Sequence, residues 1–115
     1  MFVVKTGPVR TSGFALKLRR SINAALREAY KDKKISPTEV NKALTDINKI
    51  LYELIVSEFS LPKDTVINIQ ITFDILDGKL SINDISIEVF VKDEILSKAI
   101  TNKMRGKALL TSTTA

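Results

Sequence analysis

Residues 65–92 limit the possible folds more than any other stretch of the chain. Within residues 65–76, Ile67, Ile69, Ile71, Phe73 and Ile75 alternate with Asn68, Gln70, Thr72 and Asp74. A period of two puts the apolar set on one side of a β-strand and the polar set on the other. Asp77-Gly78 follows, a dipeptide suited to the positive φ angles of a two-residue hairpin turn. Residues 79–92 keep the alternation but change its parity. Leu80 and Ile82 are even-numbered, whereas Ile85, Ile87, Val89 and Val91 are odd. One extra residue near Asn83-Asp84 would return them all to one face, so a β-bulge is expected there. The outcome is an antiparallel hairpin with one apolar face that needs cover.

Two helical segments can supply the cover. In residues 13–31, Phe14, Leu18, Ile22, Ala25 and Ala29 fall on one stripe, with Ala15 and Leu26 at its edge. Lys17, Arg20, Arg27 and Lys31 fall on the opposite side, and Arg19 and Tyr30 lie beyond the stripe's other edge. Thr11 or Ser12 is a candidate N-cap. The second helix opens on Ser36-Pro37-Thr38-Glu39, a capping box with proline at the first helical position. Val40, Ala43, Leu44, Ile47, Ile50, Leu51 and Leu54 then form a helical stripe, and Tyr52, Ile55, Val56 and Phe59 widen it. About 23 residues, or roughly 35 Å, precede the stop at Leu61-Pro62. So apolar a circumference predicts burial on several sides, by the sheet, the first helix or another subunit.

The ends complete the reading. Phe2 and Val4 mark a short strand broken by Gly7-Pro8. Asp93 can cap a third helix carrying Ile95, Leu96, Ala99, Ile100 and Met104, ending at Gly106. The expected class is α+β, an antiparallel sheet of three or four strands with two long helices packed on one face and a short C-terminal helix. One domain over residues 1–106 and a patternless tail over 107–115 are expected.

Composition removes many chemistries. With no Cys and no His, disulfides, thiolate sites, the commonest general base and the commonest zinc ligand are all missing. Asp74, Asp77, Asp84 and Glu88 sit on or near the hairpin and read as a solvated outer face that discourages edge pairing. The phrase TGPVRTSGF matches no phosphate-loop signature. No catalytic residue, metal site or cofactor is therefore expected, and the chain does not read as an enzyme. No apolar run approaches the ~20 residues of a membrane span, and nothing resembles a signal peptide. A cysteine-free chain of this size points to the cytoplasm, and its Ile- and Lys-rich balance suits a thermophile.

Charge is the remaining clue. Residues 1–34 hold nine Lys/Arg against Glu28 and Asp32, residues 35–95 hold five against eleven acids, and residues 96–115 hold four and no acid. A polarised chain with pI near 9.6 favours a polyanion partner or complementary self-association. Lys17, Arg20, Arg27 and Lys31 form a ridge, with Lys5 and Arg10 leading into it, that can hold phosphates. Phe14, Tyr30, Tyr52 and Phe90 are the aromatics available for stacking on bases. Single-stranded nucleic acid is one reading. A structural or interaction module, with an acidic protein as partner, is the other. A homo-oligomer is expected under both, because the second helix exceeds what one small domain covers.

The stretch KTGPVRTSGFALKLRRSINAALREAY, followed in order by INKILYELIVSEF, KDTVINIQITFDI-LDGK and ISIEVFV, resembles a family of small archaeal domains. These are related to the single-stranded-DNA-binding protein of the Thermoproteales. The resemblance spans about residues 2–92. It implies an α+β domain that grips single strands, DNA ahead of RNA, in an apolar cleft with basic flanks. Matching positions are Arg10, Lys17, Arg19 and Arg20, with Phe14 as a stacking residue.

Overall fold

The computed structural model describes the backbone of residues 1–113 and side chains through Ala108. Strand β3 (Val66–Leu76) is the middle of the sheet, and its inward residues Ile67, Ile69, Ile71 and Phe73 are wholly buried. Strand β4 (Lys79–Phe90) pairs antiparallel along one side of β3 through the turn at Asp77 and Gly78, whose φ angles are 51° and 72°. The expected bulge is present: Thr72 pairs with Asp84 and Phe73 with Ile82, so Asn83 is the extra residue. Along the other side of β3 run two short strands in line, β1 (Phe2–Lys5) and β2 (Val9–Arg10).

Gly7, at φ 71°, and Pro8 interrupt that edge. There Thr6 replaces part of the lost ladder. Its backbone N–H donates to the Ile69 carbonyl (2.9 Å), and its hydroxyl accepts from Ile69 N–H (3.0 Å) and donates to the Gly7 carbonyl (2.8 Å). Phe2 stacks on Phe73 with ring centroids 5.1 Å apart, closing one end of the core.

The helices cover the apolar face as the patterns require. After a 3₁₀ turn (Thr11–Gly13), α1 (Phe14–Ala25) buries Phe14, Leu18 and Ile22. The uninterrupted helix expected over residues 13–31 is divided. Leu26 leaves helical geometry at φ −98°, ψ 7° and is wholly buried, and α2 (Arg27–Lys31) resumes after it. Neither Thr11 nor Ser12 caps α1; the Thr11 hydroxyl instead donates to the Thr65 carbonyl (3.0 Å) and ties the turn to β3.

Helix α3 (Pro37–Tyr52) begins as its capping box predicts, with Ser36 Oγ accepting from Glu39 N–H at 3.2 Å. It continues into a π-helical segment (Glu53–Glu58). Burial on several sides is not met within one chain. Val40, Leu44, Leu51 and Ile55 are buried, but Ile50, Leu54 and Phe59 are exposed, because α1 and the sheet cover only part of the circumference. On β4, Ile85 and Ile87 also stay 37% exposed.

The C-terminal helix is longer than expected. Asp93 Oδ1 accepts from Leu96 N–H (2.9 Å), as a cap should, but α4 (Glu94–Thr113) runs through Gly106 to Thr113. Gly106 lies in the helix interior and does not take the left-handed conformation that ends helices. Residues 107–113 are therefore helical, and residues 114–115 of the expected tail lie outside the described residues. Helix α4 projects from the body, stretching the molecule to 70 Å against 32 and 19 Å in the other directions.

Candidate nucleic-acid interface

Helices α1 and α3 lie side by side on the sheet, and a groove runs between them on their outer side. Helical spacing builds it. On α3, Asn41, Thr45, Asn48 and Tyr52 recur at i, i+4, i+7 and i+11, which puts them on one flank. On α1, Ala15, Arg19 and Asn23 recur at i+4 intervals and face them. Asn48 Nδ2 donates across the groove to the Ala15 carbonyl at 3.4 Å, leaving its Oδ1 without a protein partner.

Toward the sheet, the groove deepens into an apolar cavity of about 720 Å³. Phe14, Ala15, Val56 and Leu61 form its walls, Tyr52 stands at the side, and Lys49 and Lys63 carry its positive charge. Tyr52 is 55% exposed, so its ring can accept a flat partner, whereas Phe14 is 4% exposed. Phe14 is thus fixed in the core with its surface turned to the cavity. As built, it offers a wall and not an open platform.

The opposite end is a shallower cleft lined by Arg19, Arg20, Asn23, Arg27, Tyr30 and Asn41. Arg19 is held by neutral groups only: Nη1 donates to Asn41 Oδ1 (3.0 Å) and its carbonyl (3.4 Å), and Nη2 to Thr45 Oγ1 (3.4 Å). That last contact joins the two ends, because Thr45 also lines the apolar cavity. Tyr30 donates its hydroxyl to Asn23 Oδ1, and Asn23 Nδ2 donates to the Arg19 carbonyl (2.9 Å). Partial burial raises the Tyr30 pKa above its ordinary value, so this hydroxyl stays a neutral donor. The ion pairs among the described residues, Met1–Asp74, Lys31–Glu28 and Lys92–Glu94, involve none of these arginines. Three guanidinium groups without carboxylate partners form a ready anion site.

The structure thus brings together Arg19, Arg20, Arg27 and Tyr30 in one cleft and sets Phe14 in the neighbouring cavity. It does not bring Lys17 or Arg10 there. Lys17 is exposed and lines neither recess, and Arg10 alternates with inward-packed Val9 and so emerges from the open face of the sheet. The contribution of α3 and of Lys63 was missed by charge counting, although the spacing of Asn41, Thr45, Asn48 and Tyr52 carries a signal. Among the described residues no cluster of acids could hold a metal ion, and no helix is long and apolar enough to cross a membrane.

A protein-family model described as ThermoDBP-related, archaea, matches residues 4–81. The chain belongs to the ThermoDBP-related archaeal family. Among solved structures, it resembles apeThermo-DBP-RP2 bound to ssDNA dT10, with TM-score 0.78 and 28% identity, covering 97% of this chain and 53% of that one. It also resembles pfuThermo-DBP-RP1, with TM-score 0.68 and 33% identity, covering 98% of this chain and 76% of that one. The ThermoDBP-related chain described here spans about half the length of the first of these. No curated protein matches it.

Proposed function

We propose that this chain is a non-catalytic single-stranded-nucleic-acid-binding protein, DNA ahead of RNA, and that the α1/α3 groove is its binding surface. The observation that carries the reading is the contiguity of an apolar, tyrosine-flanked cavity and a cleft of three acid-free arginines. Single strands offer both flat bases and a repeating anion, and a groove of this kind satisfies the two together. Binding of ssDNA by a structural neighbour supports it.

Arg19, Arg20 and Arg27 take phosphates, Asn41 and Thr45 orient the Arg19 guanidinium, and the cavity beside Phe14 and Tyr52 takes an unstacked base. Arg10 and Lys17, outside the groove, add long-range attraction. Five cations line the groove: Arg19, Arg20, Arg27, Lys49 and Lys63. If about five phosphates are neutralised, log K should fall with log salt at a slope near −3.5. A fluorescence titration of an oligothymidylate across salt concentrations checks this. Absence of binding at low salt would remove the proposal.

A second reading concerns self-association. The exposed Ile50, Leu54 and Phe59 beside the half-covered β4 row leave an apolar flank that a homo-oligomer would cover.

A further inference from the structure

Two more recesses continue the α1/α3 groove past its apolar end, and each shares a residue with the one before. Leu61, a wall of the cavity beside Phe14, also lines a recess of about 620 Å³ at the end of the sheet, where Val66 pairs with Phe90. Pro62, Phe90 and Val91 give this recess its apolar surface, and Lys92 closes it. Lys92 in turn lines a third recess, of about 360 Å³, along α4. The arginine cleft, the cavity, the sheet end and α4 are thereby joined in one track.

The chemistry of this track alternates as a single strand does. At the sheet end Phe90 is 48% exposed, enough for a base to lie on its ring. Asp64, the acid that lines the same recess, repels a phosphate and leaves the place to a base. Beyond it, Lys98, Thr101, Asn102 and Arg105 recur at helical spacing on one face of α4. Cations, hydroxyls and amides are the groups that hold phosphate oxygens. Glu94, the one acid of α4, lies 3.6 Å from Lys92, and the ion pairs among the described residues involve neither Lys98 nor Arg105. An acidic helix would need an apolar seam beside these cations, and the α4 recess has no apolar lining. A membrane surface fits no better. Lys103 shares the far side of the helix with Leu96 and Ile100, where a helix lying on lipid is apolar.

We infer that a single strand longer than the groove continues past Leu61 and Pro62, lays a base on Phe90 and sets phosphates on Lys98 and Arg105 of α4. This rests on the groove reading above and adds a second subsite to it. Leu96 and Ile100 lie opposite Lys98 and Arg105 on the helix, so a cover over them leaves the track open.

The test uses the full chain and a labelled short oligothymidylate, displaced by unlabelled oligothymidylates of increasing length. Two variants are compared with the wild type, Lys98→Gln with Arg105→Gln, and Phe90→Ala, each with unchanged circular dichroism. Both should bind the shortest competent strands as the wild type does. On long strands the double variant should flatten the dependence of log K on log salt by about 1.4, at about 0.7 per phosphate. Phe90→Ala should weaken long-strand binding about 10-fold, within the range for one stacked base. Wild-type affinity of the double variant at every length would overturn the extension and leave the groove reading intact. An equal loss at every length would also overturn it, because α4 would then belong to the first contact. Unchanged long-strand binding by Phe90→Ala would overturn the base subsite at the sheet end. A wild-type chain that binds no strand of any length would overturn the groove reading as well.

Discussion

The two flanks of α3 are built from the same helix and offer opposite chemistry. Toward α1 the helix shows Asn41, Thr45, Asn48 and Tyr52, and the facing surface supplies three arginines without acid partners. Toward β4 it shows Ile50 and Leu54, faced by isoleucines and rimmed by Asp46 and Glu53. The charge of the first flank attracts a strand of phosphates and that of the second repels it, while the second leaves Ile50 and Leu54 in water at a cost that an apolar cover would remove. One helix can hold both because 3.6 residues per turn sort its side chains onto separate stripes. The two flanks differ in charge and polarity, and each can be altered alone.

The largest effect comes from removing what the flanks share. Leu44 is wholly buried beneath them. Leu44→Ala should cost about 2–5 kcal/mol of stability, read by urea denaturation, and weaken both flanks together. A change in only one would mean that they do not rest on a common core.

Reversing charge on one flank is next. Arg20→Glu with Arg27→Glu should lower affinity for an oligothymidylate on the order of 100-fold, since charge-assisted hydrogen bonds contribute about 1.5–3 kcal/mol each. The mass by light scattering should stay the same. Loss of binding together with a change in mass would erase the distinction between the flanks.

Tyr52→Ala should weaken binding about 10-fold, within the ~1–3 kcal/mol of one base stacked on an aromatic ring, and Tyr52→Phe should retain most of it. Equal loss in both would assign Tyr52 a hydroxyl contact in place of stacking.

The smallest effect belongs to a group outside both flanks. Asp74 accepts from Asn83 Nδ2 at 2.9 Å and lies 3.2 Å from the terminal ammonium, and these partners hold its carboxyl below the ordinary 3.8. A lowered folded-state pKa adds stability above the ordinary value, which is lost as pH falls through the folded one. Asp74→Asn should therefore lower the melting temperature slightly near neutral pH, with the difference shrinking as pH falls through the lowered folded-state pKa. Binding and mass should not change.

The hairpin was legible in the sequence down to the bulge at Asn83, because a period of two makes a parity change visible. The caps at Ser36 and Asp93 were equally legible, since one side-chain oxygen three residues before an exposed N–H suffices. Strand β2 was less so: two residues have no period, and Val9 and Arg10 are strand only because β3 is beside them. The break at Leu26 was hidden because leucine continues the apolar stripe either way. Gly106 misled because glycine costs only about 1 kcal/mol inside a helix and therefore need not end one. In the candidate site, Arg20 and Arg27 were read from charge, but Lys17 was grouped with them. Arg19 came from the family resemblance, and the position of α3 puts it in the cleft and leaves Lys17 outside. Asn41, Thr45 and Asn48 read as solvated polar residues until α1 is placed opposite them.

The central claim is that single-stranded DNA lies in the α1/α3 groove, and NMR titration with an oligothymidylate tests it most directly. The account predicts shifts at Arg19, Arg20, Arg27, Asn48 and Tyr52, with Ile85 and Ile87 of the β4 flank unmoved. Shifts confined to Arg10, Asn68 and Gln70 on the open face of the sheet would contradict it.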